Sequence, residues 1–263
     1  ARAIADYIKQ TTGLTVRLVA KGPAAITLFC NGKLAELPGV DEKTGPQSRE
    51  AYQLTVADNR IQLKANSSAG LYYAAQTLRQ LIQKHGATLA VQNTQITDCP
   101  EMAYRGFKMD MSHMQFPKME EIKHQLDFMA RWKLNQYYFY SEANIELDGY
   151  PLLFPNVRFS KAQVREIIDY ARERYIDVIP NINLYGHLHD LFKLEHYRDL
   201  SITPYGREFN ADDQRTQVIV RDWVDQFVAL FPSPFFHIGF DETYLIGVEA
   251  KKLKLAPEKL YTE

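Results

Sequence analysis

The sequence predicts an α/β protein in two parts, an α+β domain over residues 1–100 and a run of parallel βα units over residues 101–263. Before Pro100, apolar residues alternate with polar ones at a period of two and are followed by one helical stripe, which predicts a small sheet with a helix laid on it. After Pro100, short apolar strands alternate with helical stripes, and this order is typical of parallel sheets.

The first part is predicted to contain strands and one long helix. The strands fall at residues 14–18, 26–30, 52–56 and 61–65. Asp58 and Asn59 separate the last two strands and predict a hairpin with a polar turn. Ser67 offers a helix cap, and apolar residues from 71 to 82 recur at helical spacing. Cys30 lies in step with Ile26 and Leu28, so we expect it to be buried. We expect this part to act as a scaffold.

The second part is predicted to contain four βα units. The strands fall at residues 106–110, 135–140, 176–182 and 235–239, and helical stripes cover residues 119–129, 164–171 and 220–230. Trp132 and Trp223 are also assigned to helical stripes, so we expect both in the core. A closed eight-stranded barrel takes about 250 residues. Residues 101–263 are too few for such a barrel. The four units therefore predict either an open four-unit sheet or the front half of a barrel.

Composition and charge narrow the classes of partner. The chain has 31 lysines and arginines against 32 acids, a net charge of −1, which predicts no nucleic-acid partner. No apolar run approaches the length of a membrane-spanning helix, so we expect no membrane span. Two cysteines, Cys30 and Cys99, do not establish a disulfide.

Polar residues follow all four predicted strands. They are Asp110, Ser112 and His113 after the first, Glu142 after the second, Asn183, His187 and His189 after the third, and Asp241 and Glu242 after the fourth. Taken alone, Asp241 and Glu242 would suit a helix cap and first turn. Because the carboxyl ends of parallel strands share one edge, four consecutive polar strand ends favour an active site there.

The His187-x-His189 pair raises the alternative of a metal site. Two histidines at a barrel strand end can bind zinc in metal-dependent hydrolases. Such sites need further ligands, and neither a cysteine nor a third well-placed histidine is evident at the neighbouring strand ends. We therefore predict no metal ligands, and His189 could equally lie on the following helix and face solvent.

Three motifs carry a resemblance to a known family. Residues 104–110 (Tyr-Arg-Gly-Phe-Lys-Met-Asp), the Gly186-His187 pair and residues 237–242 (His-Ile-Gly-Phe-Asp-Glu) together resemble glycoside hydrolase family 20, the β-N-acetylhexosaminidases. Residues 51–83 are similar to the α+β domain that precedes the barrel of that family. The resemblance implies an N-terminal α+β domain followed by the first half of a (β/α)8 TIM barrel.

The resemblance also implies an activity and a set of roles. The activity is exo-acting removal of terminal β-linked N-acetylhexosamine (GlcNAc or GalNAc) from a glycan, by substrate-assisted retaining catalysis without a cofactor. Glu242 matches the general acid and Asp241 the residue that orients the 2-acetamido group. Arg105 matches an arginine that binds sugar hydroxyls, His187 a histidine of the site's network, and Glu142 an acid after the second strand.

Departures from the family leave alternatives open. Many members have an arginine shortly after the first-strand aspartate, where this chain has Ser112-His113-Met114, and the second and third strand ends more closely resemble a divergent, hexosaminidase D-like branch. The alternatives are a carbohydrate-binding pseudoenzyme and a metal-dependent barrel hydrolase. We expect the remaining half of the barrel, with its aromatic wall, to come from the rest of the polypeptide, and the isolated 263 residues to be poorly soluble or inactive. The resemblance favours an exported protein, whether periplasmic, secreted or lysosomal.

Overall fold

The computed structural model describes residues 1–13, 15–20, 22–32, 37–85, 88–113, 115–142 and 144–260. The chain forms two compact units. The first unit comprises Ala1–Arg105, Asp127–Asn135 and Arg174–Ile176, and the second comprises Gly106–Leu126, Gln136–Glu173 and Asp177–Glu263. Among the described residues, no helix has both the length and the apolar character that crossing a membrane requires.

Six strands lie among the described residues of the first unit. They are β1 (Ile26–Cys30), β2 (Tyr52–Ala57), β3 (Arg60–Ala65), β4 (Gln83–His85), β5 (Thr88–Ala90) and β6 (Thr94–Asp98). One sheet has the order β1-β3-β2-β6, in which β1 runs parallel to β3 and the other pairs are antiparallel. A separate small hairpin pairs β4 with β5.

The predicted hairpin between β2 and β3 is confirmed. Asp58 and Asn59 form its two-residue turn with φ of 51° and 56°. Both values lie in the left-handed region, which matches the twist of a tight hairpin and which Asp and Asn tolerate. On β2, Tyr52, Leu54 and Val56 are buried while the residues between them are more exposed, as the period of two predicts.

Two helices complete the first unit, α1 (Arg2–Thr12) and α2 (Ser68–Leu81). The predicted α2 is confirmed, and the Ser67 hydroxyl caps it by accepting hydrogen bonds from the backbone of Ala69 and Gly70. Helix α1 was not predicted from the sequence, and its Ile4 and Ile8 are buried on one face. The strand predicted at 14–18 is wrong, because residues 15–18 pair with no strand; Leu14 lies outside the described residues.

Three parallel strands organise the second unit. They are β7 (Gly106–Asp110), β8 (Gln136–Ser141) and β9 (Asp177–Ile182), in the order β7-β8-β9. The predicted fourth strand, residues 235–239, is not a regular strand in the structure. It runs parallel to β9 and forms one isolated bridge with it, between Asn181 and His237. The His237 backbone N–H donates to the Pro180 carbonyl at 2.9 Å, so this segment continues the order of a barrel sheet.

Six helices follow the strands in the second part of the chain. They are α3 (Met119–Arg131), α4 (Lys161–Arg172), α5 (His189–Phe192), α6 (Gln214–Leu230), α7 (Ile246–Leu253) and α8 (Pro257–Leu260). The predicted stripes are confirmed on α4, where Val164 and Ile167 are fully buried, and on α6, where Trp223 is fully buried. Ser160 and Gln163 form a capping box at the start of α4.

Two burial predictions are wrong. Cys30 is exposed, because it ends β1, a strand that pairs with β3 alone. Both cysteines are free thiols. Trp132 is 54% exposed, because α3 ends at Arg131 and the chain turns at Lys133, with φ of 60°, instead of continuing the apolar stripe.

Candidate active site

Glu142 lies at the carboxyl end of β8 and is only 3% exposed. Its Oε1 accepts a hydrogen bond from the Tyr140 hydroxyl at 3.1 Å, and its backbone N–H donates to Ser112 Oγ at 2.8 Å. Burial raises the pKa of the Glu142 carboxyl, and nearby His113 and the Tyr140 hydrogen bond offset only part of this effect. Glu142 is therefore a buried acid that takes up a proton more readily than a solvent-exposed one.

His187 follows β9 and stands among three carboxylates. Its Nε2 lies 3.3 Å from Glu242 Oε2 and 3.8 Å from Asp241 Oδ2. Its other ring nitrogen, Nδ1, lies 4.0 Å from Glu142 Oε1. The structure thus brings together four of the five residues predicted for the site, with the imidazole between the buried acid and the exposed pair.

Asp241 and Glu242 are adjacent at the end of the fourth strand segment. Their side chains are 58% and 56% exposed, so both carboxylates are open to an incoming ligand. Glu242 has a φ of 53° and His187 a φ of 59°. Left-handed backbone is costly for residues with a Cβ, and it clusters at functional sites.

Gly239 lets the fourth segment pass close to β9. Its φ is 56°, and a Cβ at this position would lie 2.0 Å from Asn183 Oδ1 and 2.9 Å from the Ile182 carbonyl. Only glycine fits that space and that backbone conformation. The glycine of the His-x-Gly-x-Asp-Glu motif therefore sets how closely Asp241 and Glu242 approach the end of β9.

Glu208 is a buried residue that the sequence analysis did not identify. Its carboxylate accepts hydrogen bonds from the backbone N–H of Tyr244 at 2.7 Å and from that of Leu245 at 2.9 Å. It therefore caps the start of α7 from outside the helix and fixes the segment just after Glu242. Glu208 lies in an irregular segment between α5 and α6, where no periodicity indicates its role.

His113 is oriented by Asp110. Its Nδ1 lies 2.6 Å from Asp110 Oδ2, and its ring stacks on Tyr140 with centroids 6.3 Å apart. The hydrogen bond that His113 donates to Asp110 raises the pKa of His113. Burial would raise the pKa of Asp110, but hydrogen bonds from Ser112 and His113 outweigh it and lower that pKa. The free nitrogen of His113, Nε2, lies 3.6 Å from Glu142 Oε1.

The structure does not bring Arg105 to this cluster. Arg105 precedes the amino end of β7, whereas Asp110 ends that strand. Its guanidinium pairs with Glu50 at 2.5 Å and donates to the carbonyls of Lys133 and Met102, both at 2.7 Å. Because all three guanidinium nitrogens are engaged at the opposite end of the strand, we reassign Arg105 from sugar binding to a structural role.

Two tyrosines that follow the third and fourth strand segments have rings of the kind that stack on a sugar face. Tyr185 is buried, stacks on Phe240 and donates a hydrogen bond to Glu249, so it belongs to the core. Tyr244 is exposed, with the Arg207 guanidinium 4.3 Å from its ring centroid. Of these two residues, only Tyr244 offers a ring surface next to the acidic pair.

Possible metal ligands lie closer together than the sequence analysis predicted. One donor atom from each of His113, Glu142 and His187 falls within 4.8 Å of the others, and the same holds for Glu142, His189 and Asp190. The prediction that no third histidine lies near the pair is therefore wrong. The third histidine is His113, held there by Asp110.

Parallel βα units with carboxylates and a histidine at the carboxyl edge of the sheet are the arrangement in which barrel enzymes build their active sites. Models of two family domains match the chain: Glycosyl hydrolase family 20, domain 2, over residues 1–99, and Glycosyl hydrolase family 20, catalytic domain, over residues 102–257. The chain belongs to glycosyl hydrolase family 20.

Named relatives agree with this assignment. A beta-hexosaminidase of Porphyromonas gingivalis is 28% identical over 92% of this chain and 34% of its own length. A beta-N-acetylhexosaminidase of Cellulomonas fimi is 29% identical over 82% of this chain and 50% of its own length. The structure of Flavobacterium johnsoniae chitobiase superposes with a TM-score of 0.82 at 25% identity, over 99% of this chain and 43% of that one.

The fold is therefore an α+β domain followed by part of a TIM barrel, as predicted. The chain spans between a third and half of the length of the two curated relatives named above.

Proposed function

We propose that the protein is an exo-acting β-N-acetylhexosaminidase that removes terminal β-linked N-acetylhexosamine from glycans. The observation that carries this proposal is the adjacency of Asp241 and Glu242 on one strand end, with His187 Nε2 within 3.8 Å of both carboxylates. Most retaining glycosidases flank the scissile bond with two carboxyl groups about 5–5.5 Å apart, one of them the nucleophile. Two neighbouring residues on one loop are poorly placed to flank a bond in this way.

Substrate-assisted catalysis removes that difficulty. The acetamide oxygen of the substrate attacks the anomeric carbon, so the protein has to supply only an acid and a partner for the amide. Glu242 protonates the glycosidic oxygen. His187 lies between Glu242, on the side of its Nε2, and Glu142, on the side of its Nδ1. Because burial raises the pKa of Glu142, this carboxyl can accept a proton from the far side of the imidazole and return it.

Replacing Glu242 tests the role of the acid. In a polypeptide that includes the rest of the barrel, Glu242→Gln should slow the hydrolysis of substrates with poor leaving groups about 10²–10⁴-fold, the usual contribution of general acid catalysis. An activated aryl N-acetylglucosaminide should lose far less, because its leaving group needs no proton. Glu121→Gln, which changes an exposed glutamate in the first turn of α3, is the matched control. Equal losses on both substrates would contradict the assignment.

Replacing Asp241 tests the acetamide partner. Asp241→Asn should lower kcat on N-acetyl substrates about 10²–10³-fold, the range for losing one preorganised electrostatic group. A thiazoline mimic of the cyclic intermediate should inhibit the wild type and bind weakly to the variant. Equal hydrolysis of a plain β-glucoside and of the N-acetyl sugar by the wild type would refute substrate assistance. Sugar binding without turnover would instead favour a carbohydrate-binding pseudoenzyme.

A further inference from the structure

We propose that the carboxyl ends of β7, β8 and β9 form a binding site for a divalent transition-metal ion of the Zn²⁺ class. Its protein ligands would be His113, Glu142 and His187, each from the end of a different strand. Two imidazoles and one carboxylate with a remaining open position are a ligand set that zinc takes in proteins.

The donor spacing is close to what such an ion requires. Zinc binds imidazole nitrogen at about 2.0–2.1 Å and carboxylate oxygen at about 2.0–2.2 Å, so ligands at a tetrahedral angle stand roughly 3.3–3.5 Å apart. Glu142 Oε1 lies 3.6 Å from His113 Nε2 and 4.0 Å from His187 Nδ1. Contractions of a few tenths of an ångström bring both nitrogens within range, and side-chain rotations suffice for such shifts.

The residues that hydrogen-bond to the proposed ligands are arranged as in known metal sites. A histidine ligand is usually held by a carboxylate on its other nitrogen, which fixes the tautomer and the ring orientation. Asp110 does this for His113, binding Nδ1 at 2.6 Å and leaving Nε2 toward Glu142. The Tyr140 hydroxyl donates to Glu142 Oε1 and itself accepts a hydrogen bond from Asn183 at 2.7 Å, so the carboxylate is oriented as well.

A second set of donors adjoins the first. Glu142, His189 and Asp190 also bring donor atoms within 4.8 Å of one another, so Glu142 is common to both sets. Because Glu142 is buried and can use either carboxylate oxygen, it anchors the ion whichever neighbours complete the coordination. Asp190 or water would fill the remaining position.

Metal binding would inhibit hydrolysis, an inference that rests on the proposed function. The ion would occupy His187 Nδ1 and Glu142 Oε1, the two atoms through which a proton passes behind Glu242. His187 could then no longer exchange a proton with Glu142. The binding itself does not depend on any catalytic assignment.

Direct binding decides the proposal without an activity assay. Titrating the purified polypeptide with Zn²⁺ in a calorimeter, and with Co²⁺ while following its visible absorption, should show one ion per chain. His113→Ala should abolish this binding. Asp110→Asn, which keeps every ligand, should weaken it about 10–100-fold. His196→Ala removes an exposed histidine outside both donor sets and should bind as the wild type does.

The same titrations can overturn the proposal. Wild-type protein that binds no ion, or His113→Ala that binds as tightly as the wild type, would exclude the site. If His113→Ala does not fold, unchanged affinity in Asp110→Asn would count equally against it. In hydrolysis assays Zn²⁺ should inhibit and a chelator should restore activity; full activity with the ion bound would refute the inhibitory consequence. If the protein hydrolyses no substrate, the binding result stands separately from the proposed function.

Discussion

Removing the Glu208 carboxylate should loosen the segment that carries the acidic pair. Glu208 is fully buried and accepts hydrogen bonds from the backbone of Tyr244 and Leu245, the second and third residues after Asp241-Glu242. Leu245 precedes α7 without capping it by its side chain, so Glu208 supplies the carboxylate that accepts the backbone N–H groups at that helix start, in addition to Glu249 in the first turn. In Glu208→Ala both N–H groups lose their acceptor.

The expected cost follows from those two bonds. A hydrogen bond to a charged group contributes about 1.5–3 kcal/mol, so losing both should lower the free energy of unfolding by roughly 3–6 kcal/mol. Glu208→Gln keeps one acceptor oxygen and should lose about half of that. Asp212→Ala, which removes an exposed acid four residues along the chain, should change stability by less than about 0.5 kcal/mol.

Urea denaturation followed by circular dichroism measures these differences, provided that the slope of the transition is unchanged. In a polypeptide that includes the rest of the barrel, hydrolysis by the folded variant should fall as well, because Glu242 is no longer held in place. A Glu208→Ala protein that unfolds at the same urea concentration as Asp212→Ala would refute the reasoning. So would a variant that loses stability but keeps full activity, since Glu208 would then hold α7 without positioning Glu242.

Two further substitutions test the packing around the site. Gly239→Ala should lower the free energy of unfolding by well over 3 kcal/mol, because the new Cβ would collide with Asn183 at a positive φ. Gly149→Ala, also at positive φ but in open space, should lower it by only about 1–2 kcal/mol. Similar melting temperatures for the two variants would contradict the clash. Asp177 is buried, and burial raises its pKa to about 6, so the folded state favours the protonated form. The free energy of unfolding should therefore fall by up to about 3 kcal/mol as the pH rises from about 4 through about 6. Asp177→Asn should remove that dependence; a pH profile parallel to the wild type would refute it.

The site was largely predictable because its residues follow strands. Parallel strands place their carboxyl ends at one edge, so Asp110, Glu142 and His187 had to meet once the three strands were identified. Arg105 failed the same test, since it precedes its strand and belongs to the other end. Glu208 was out of reach, because its role depends on a backbone segment 36 residues away and on no local pattern.

Errors in the first unit have a common physical cause. Alternation of period two predicts a strand only if a partner strand is available, and residues 15–18 have none. Cys30 has the periodicity of a buried residue but lies at the end of a strand with one neighbour. In contrast, α1 had usable signals in the sequence, namely the spacing of Ile4 and Ile8 and the glycine at position 13. In the structure Gly13 ends the helix in a left-handed conformation with φ of 76°.

His187 and Glu242 both hold a strained backbone at the site that we propose for catalysis. Each has a left-handed backbone conformation that costs a residue with a Cβ about 1–2 kcal/mol and that glycine would adopt freely. The conformation alone does not mark function, because it also occurs at Lys133, Phe154 and Tyr205, which have no part in the proposed site. His187 and Glu242 differ from these residues because their side chains meet, with Nε2 and Oε2 3.3 Å apart. Glycine at either position would relieve the strain but would remove one partner of that contact, and this supports the roles proposed for both side chains.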